Sequence, residues 1–450
     1  MKTVKVLSTT AILGYGFPLA SFEAGMKMNP DCIAVDAGST DPGPYYLGAG
    51  ASFTDYFAVK RDLAIMIQAG IKHHIPVLVG SAGGSGAKPH LDWQLKIVDE
   101  IARENNLHFK MAVIEADFDK NFVLKAFKEG KVSPLHPAPQ CTQEDILEST
   151  YIVGQMGVEP FIKALNDGAQ VIIAGRSYDP NMFAALPIIR GFDKGLALHM
   201  GKILECAAIA STPGSGSDCM LGTITEDSFI LQTLNPVRKC TVLSVSAHTL
   251  YEKTNPYILP GPGGLIDLLN TTFTQLDVDR VEVKGSKFIP SETYMIKLEG
   301  AKCVGFRTVS IAGVRDPIFI KEIDSILEAV KQRVKDNFKD LSNYHLNFKI
   351  YGKNGVMGDL EPIKEISSHE LCIVIDAVAQ TQEVANTVCS FARSTMLHYG
   401  YEGRIATAGN LAFPYSPSDF KVGAVYNFSL YHLIEVSDPI GIFKQTLIEV

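Results

Sequence analysis

Short apolar runs recur through the first half of the chain, each closing in a polar or glycine-rich loop and most leading into an amphipathic stretch. Val4–Leu7, Cys32–Val35, Val77–Val79, Phe109–Glu115 and Gln170–Ala174 are too short and too uniformly apolar for helices, so they predict buried strands. Between them, apolar residues return at helical spacing. In Val59–Lys72, for example, Leu63, Ile67 and Ile71 share one face. Further helices are expected from Ser21 to Met28, Leu91 to Glu104, Lys120 to Glu129, Thr142 to about Val153, Glu159 to Asp167, Asn181 to Leu186 and Leu198 to Ile209. The alternation predicts an α/β fold, a mainly parallel sheet with flanking helices. Right-handed crossovers would line its loops along one edge.

The pattern changes after residue 211. Phe229–Leu234 and Thr241–Val245 read as strands, and Tyr257–Gly264 (YILPGPGG) punctuates the chain. Beyond it come strand-rich segments at Val281–Lys284, Tyr294–Leu298, Thr308–Ala312, Leu346–Tyr351, Leu371–Ile375 and Val425–Ile434, with helices from Pro317 to about Asn337 and from Glu383 to about Tyr399. Two domains are expected: residues 1–259 as the parallel α/β domain, and residues 260–450 as a smaller α+β domain serving as a lid or in assembly.

Composition narrows the function classes. The 41 basic and 49 acidic residues leave a net charge of −8 with no long basic run, which argues against nucleic acid as a partner. The eight cysteines form no C-x-x-C pair, so neither a zinc ribbon nor a disulfide framework is suggested, and a reducing compartment is expected. No apolar segment reaches the ~20 residues of a membrane span. A cytoplasmic location, no membrane partner and a homo-oligomer are expected.

Candidate chemistry sits on the strand-end loops. After the third strand, Gly80-Ser81-Ala82-Gly83-Gly84-Ser85-Gly86 precedes a helix, the placement in which backbone N–H groups cradle an anion. It is neither a P-loop nor a clean dinucleotide fingerprint. Gly80, Ser81, Gly83, Gly84 and Ser85 are substrate-binding candidates, with Lys88 and His90 nearby to add charge. Asp36 ends the second strand and is a candidate general base, while Ser39 and Asp41 on its loop could bind substrate. Glu115 ends the fourth strand as a second catalytic carboxylate. Arg176 and Asp179 follow the fifth, and the arginine offers a fork for a carboxylate or phosphate. His248 and Glu252, four apart, could share a helix face as an acid/base pair. Clustered carboxylates would also suit a divalent metal such as Mg²⁺.

Taken together, VDAGSTDPGPYYLG, GSAGGSG, IIAGRSYDP, LPGPGG and GNLAFPYSPSD resemble the acyclic terpene utilisation (AtuA-like) family over nearly the whole chain. The resemblance implies catabolism of small carboxylates or acyl-CoA esters, as in bacterial gene clusters that degrade citronellol and geraniol. It also implies a possible small companion protein, and it carries over no catalytic residues. The leading expectation is an enzyme that abstracts a proton beside a carbonyl of a small anionic substrate, a lyase or hydro-lyase. The alternatives are a phosphate- or nucleotide-handling enzyme using the Gly-rich loop, and a non-catalytic subunit that needs its companion.

Overall fold

The structure, a computed structural model, describes residues 2–251, 254–405 and 407–450. Two compact units form: residues 1–302 with 428–450, and residues 303–427. In the first unit the strands are β1 (Val4–Ser8), β2 (Cys32–Asp36), β3 (Val77–Gly80), β4 (Lys110–Ile114), β5 (Val132–Pro134), β6 (Tyr151–Gly154), β7 (Val171–Ala174), β8 (Met220–Ile224) and β9 (Ser228–Thr233). They continue with β10 (Ile258–Gly261), β11 (Gly264–Asp267), β12 (Thr272–Gln275), β13 (Arg280–Lys284) and β14 (Lys287–Pro290). β15 (Met295–Val314) leads from the first unit into the second, which holds β16 (Tyr344–Tyr351) and β17 (Leu371–Ala379). β18 (Asp419–Glu435) leads back, and β19 (Gln445–Glu449) closes the chain.

The main sheet has ten strands in the order β12-β13-β9-β8-β1-β2-β3-β7-β4-β19. Its centre, β1-β2-β3-β7-β4, is parallel throughout and consists of the five apolar runs read from the sequence. Successive residues of a strand face opposite sides, and here both sides are buried. Cys32 and Ala34 enter one core while Ile33 and Val35 enter the other, and β7 divides the same way, with Ile172 and Ala174 opposite Val171 and Ile173. Helices Tyr56–His73 and Lys88–Asn105 cover one face, and helices Glu159–Asn166, Asn181–Ile189 and Lys194–Leu204 cover the other. Burial on both faces explains why these strands carry no polar alternation. Antiparallel strands extend the sheet: β8, β9, β13 and β12 beside β1, and β19 beside β4.

Residue 260, the expected domain boundary, lies inside this first unit. Strands β12 and β13 continue the main sheet beyond β9, and β10, β11 and β14 form a three-stranded sheet of their own. Three local expectations change. Thr241–Val245 is the start of helix Val242–Thr249, because the Thr241 and Ser244 side chains form a reciprocal N-terminal cap that outweighs the β-branched residues around them. The helix from Asn181 runs through Pro187 to Ile189, and the helix opened by Thr142 stops at Glu148 so that Tyr151–Gly154 can pair with β15.

In the second unit, β15 from Phe306 onward pairs with β17, and β17 pairs with β16, all antiparallel. Helices Ile323–Asn337 and Gln382–Leu397 bury Ile326, Val330, Val388 and Cys389 in its core with Ile373 and Ile375 of β17. Among the described residues, no helix of either unit is long and apolar enough to cross a membrane.

Candidate functional site

The C-terminal ends of β2, β3 and β7 lie side by side, and four of the sequence candidates meet there. Asp36 ends β2, Ser81 follows β3, and Arg176 and Asp179 follow β7. Two further elements reach the same place. Helix Lys194–Leu204, buried on all sides, brings Lys202 and its C-cap residue Glu205. The first part of β15 brings Lys297 and Glu299.

Arg176 is fully buried and holds the group together. Its Nε donates to Glu299 Oε2 at 2.8 Å, and its Nη1 donates to Ser177 O at 3.0 Å and to Ser81 Oγ at 3.3 Å, and reaches Asp179 Oδ1 at 3.5 Å. Glu299 also accepts from Lys297 Nζ at 2.8 Å and from Thr40 Oγ1 at 2.7 Å. Burial pushes this carboxyl up, but Arg176 and Lys297 outweigh it and hold Glu299 at about 2. Lys202 Nζ pairs with Glu205 and lies 3.7 Å from Asp179 Oδ2.

The carboxylates are not equivalent. Burial, with the charge of Asp179 added, drives Asp36 well above the ordinary carboxylate range despite Arg176 and Ser81. Its Oδ1 is buried with no hydrogen-bond partner. Burial also raises Asp179, yet Lys202 and Arg176 win there and hold it below its usual value. Glu205 is pushed up, chiefly by burial. Four carboxylates (Asp36, Asp179, Glu205, Glu299) face three cations (Arg176, Lys202, Lys297), so one proton balances the cluster. Asp36, pushed up, and Asp179, held down, form a pair whose surroundings drive their acidities apart, the arrangement an acid and a base require. Asp179 is also the member in reach of solvent, its side chain 21% exposed.

Asp36, Asp179 and Glu205 each place one carboxylate oxygen within 4.8 Å of the others, close enough to grip a cation. The Lys202 ammonium already stands against two of them.

Five N–H groups of the Gly-rich loop are donated within the protein: Ser81 to Gly175 O, Ala82 to Ala174 O, Gly83 to Gln94 Oε1, Gly84 to Ser81 O and Gly86 to Ala82 O. The glycines allow close packing. A Cβ on Gly80 would run into Met182, and one on Gly84 would lie 2.9 Å from Phe53. Gly86, at φ +68°, has the Arg176 backbone where a Cβ would stand. Gly86→Ala is therefore expected to cost about 2 kcal/mol or more, from the left-handed backbone and the collision together. Urea denaturation of the variant checks this. Ser85 is buried in the same loop, its hydroxyl without a partner.

Other candidates lie apart. Glu115 follows β4, and β3 and β7 separate β4 from β2; its carboxylate accepts from Lys444 at 2.9 Å. Ser39 and Asp41 bond each other on the exposed part of their loop, Ser39 Oγ donating to Asp41 Oδ2 at 2.7 Å. His248 stacks on Tyr251, with ring centroids 5.3 Å apart, and Glu252 lies outside the described residues. His90 is buried, its Nε2 3.0 Å from the carbonyls of Tyr46 and Ala51; burial lowers its basicity, so it adds no charge. Lys88 pairs with Asp92.

The sequence reading missed Lys202, Glu205, Lys297 and Glu299. The available signal was charge inside apolar runs: Lys and Glu three apart in KGLALHMGKILE, and two apart in MIKLE. Charged groups in such runs are buried only when paired.

A family model described as "Acyclic terpene utilisation family protein AtuA" matches residues 56–217 and 227–415. Ser81, Arg176, Asp179, Lys202, Glu205, Lys297 and Glu299 fall inside the matched stretches, and Asp36 and Thr40 precede them. No curated protein and no solved structure matches the chain.

Proposed function

The chain belongs to the acyclic terpene utilisation family, and from that premise we infer that it is a catabolic enzyme that moves protons on a small carboxylate or its CoA thioester, in a lyase or hydro-lyase reaction. The coarse function, small-molecule catabolism, comes with the family. The finer reading is supported above all by the opposed states of Asp36 and Asp179 in one cluster at the C-terminal edge of a parallel sheet. That edge is where parallel α/β folds bind their ligands.

In this reading Asp179 is the base. It is ionised, in reach of solvent, and takes the proton from the carbon beside the substrate's carbonyl. The electrons of that C–H bond become the new C=C bond. The C–O bond on the neighbouring carbon breaks, and the hydroxyl leaves as water with the proton that Asp36 carries. The Lys202 and Arg176 cations offset the negative charge that builds on the carbonyl oxygen. Glu299 and Lys297 hold Arg176 in place.

The test is hydrogen exchange in D₂O, followed by NMR, over a panel of short 3-hydroxy acids, branched and unbranched, and their CoA thioesters. The wild-type chain is expected to exchange the proton beside the carbonyl of at least one of them. Asp179→Asn, measured on folded protein, should slow that exchange by at least about 10²-fold, the lower end of what a positioned base contributes. No exchange with any compound, or equal exchange in the variant, would overturn the reading.

A further inference from the structure

Next to Asp179 in the chain, Tyr178 is 8% exposed, and its hydroxyl has no hydrogen-bond partner. A buried hydroxyl without a partner is costly and needs an explanation. The ring lines a cavity of about 10 Å³ together with Val158, Leu198, Leu265, Ile266 and Phe288. The hairpin of β10 and β11 roofs it, and a Cβ on Gly261 would lie 2.7 Å from the Tyr178 ring. Two other polar side chains reach the cavity, and both are engaged. Asn181 Nδ2 donates to Met156 O at 2.8 Å, and Lys194 Nζ pairs with Glu159 at 3.3 Å and lies over the Phe288 ring. Among the lining side chains, the Tyr178 hydroxyl is thus the polar group left to a ligand. Tyr178 directly precedes Asp179 of the carboxylate cluster, and beside its burial the charges of Lys202, Asp179 and Glu205 act on its hydroxyl.

The volume suits one water molecule or one methyl group. A water would find one side-chain partner there, where buried waters have about three. A ligand that carries an oxygen and a methyl group on the same carbon satisfies both the hydroxyl and the apolar walls.

We propose that Tyr178 and this cavity form a specificity subsite for a substrate whose oxygen-bearing carbon carries a methyl branch, the Tyr178 hydroxyl donating to that oxygen and the cavity receiving the methyl. The proposal rests on the proton-transfer reading for what the bound oxygen does next, and it is tested by binding alone. The probes are 3-hydroxy-3-methylbutyrate, 3-methylbutyrate, which lacks the hydroxyl, and 3-hydroxybutyrate, which lacks the branch, all measured by isothermal titration calorimetry. The wild type should prefer the first over each of the others by roughly tenfold or more. Tyr178→Phe should lose the preference for the hydroxyl and keep the preference for the branch. Val158→Ile, which adds one methyl group's volume to the cavity, should do the reverse. A wild type that does not discriminate, or variants that keep both preferences, would overturn the subsite. If proton exchange fails while these preferences hold, the reaction class falls and the subsite stands.

Discussion

Asp36→Asn should fold like the wild type and lose about 10³-fold or more in turnover, toward the upper end of what one acid–base group contributes. The amide keeps the size and polarity of the protonated acid, so the cluster retains its charge balance. It has no proton to give, so the departing hydroxyl leaves unassisted. The pH dependence follows from the same states. Asp179 is held below the ordinary carboxylate range and Asp36 well above it. Activity should therefore appear as pH rises through the low value of Asp179 and disappear as Asp36 loses its proton on the alkaline side.

Stability carries a second signature. A group whose folded pKa is raised contributes fully below its unfolded value, and the contribution is lost as pH rises through the folded value. The wild type should weaken over that window, whereas Asp36→Asn, which cannot ionise, should not. Steady-state rates and denaturation midpoints from pH 3 to 9 check both effects. Near-wild-type turnover in the variant, or an alkaline limb unchanged by it, would remove Asp36 from the acid role.

The parallel centre of the fold was legible because buried parallel strands have a simple signature, a short apolar run that ends in Gly or a polar loop. Asp36, Ser81, Arg176 and Asp179 were legible for the same reason, since each closes or follows such a run. What local pattern cannot supply is strand order. β7 inserts between β3 and β4, so the fourth strand in sequence is displaced from β2, and Glu115 is carried to a pair with Lys444. Nor can it supply partners that are distant in the chain. Glu299 meets Thr40 and Arg176 only because β15 threads back beside the loops of the early strands. At Gly86 of the Gly80–Gly86 loop the protein's own backbone, at Gly175 and Arg176, comes close, and five of the loop's N–H groups are donated within the protein, contacts between distant segments that local pattern does not show.

That dependence on a distant carboxylate leads to the largest expected change in stability. Glu299→Gln should destabilise the first unit by about 3–5 kcal/mol, the usual result of removing one member of a buried ionic group. The wild-type carboxylate accepts from three donors, Arg176 Nε, Lys297 Nζ and Thr40 Oγ1, at 2.7–2.8 Å. The amide has one acceptor oxygen, and its NH₂ would face a donor. Lys297 would then lose its carboxylate partner, and Arg176 would keep only its longer contact with Asp179. Acid should reproduce part of this loss in the wild type. A carboxyl held at about 2 in the folded chain and near 4.3 when unfolded carries about 3 kcal/mol. Because its folded value is depressed, that stability is present above the unfolded value and is lost as pH falls from about 4.3 to about 2. Urea denaturation followed by circular dichroism at pH 7 and pH 3 reads both. The gap between wild type and Glu299→Gln should be widest at pH 7 and narrow toward pH 3. The variant should also lose proton exchange, because Arg176 is no longer held beside Asp179. A variant within about 0.5 kcal/mol of the wild type at pH 7, the range of an ordinary surface substitution, would show that Glu299 does not anchor the cluster.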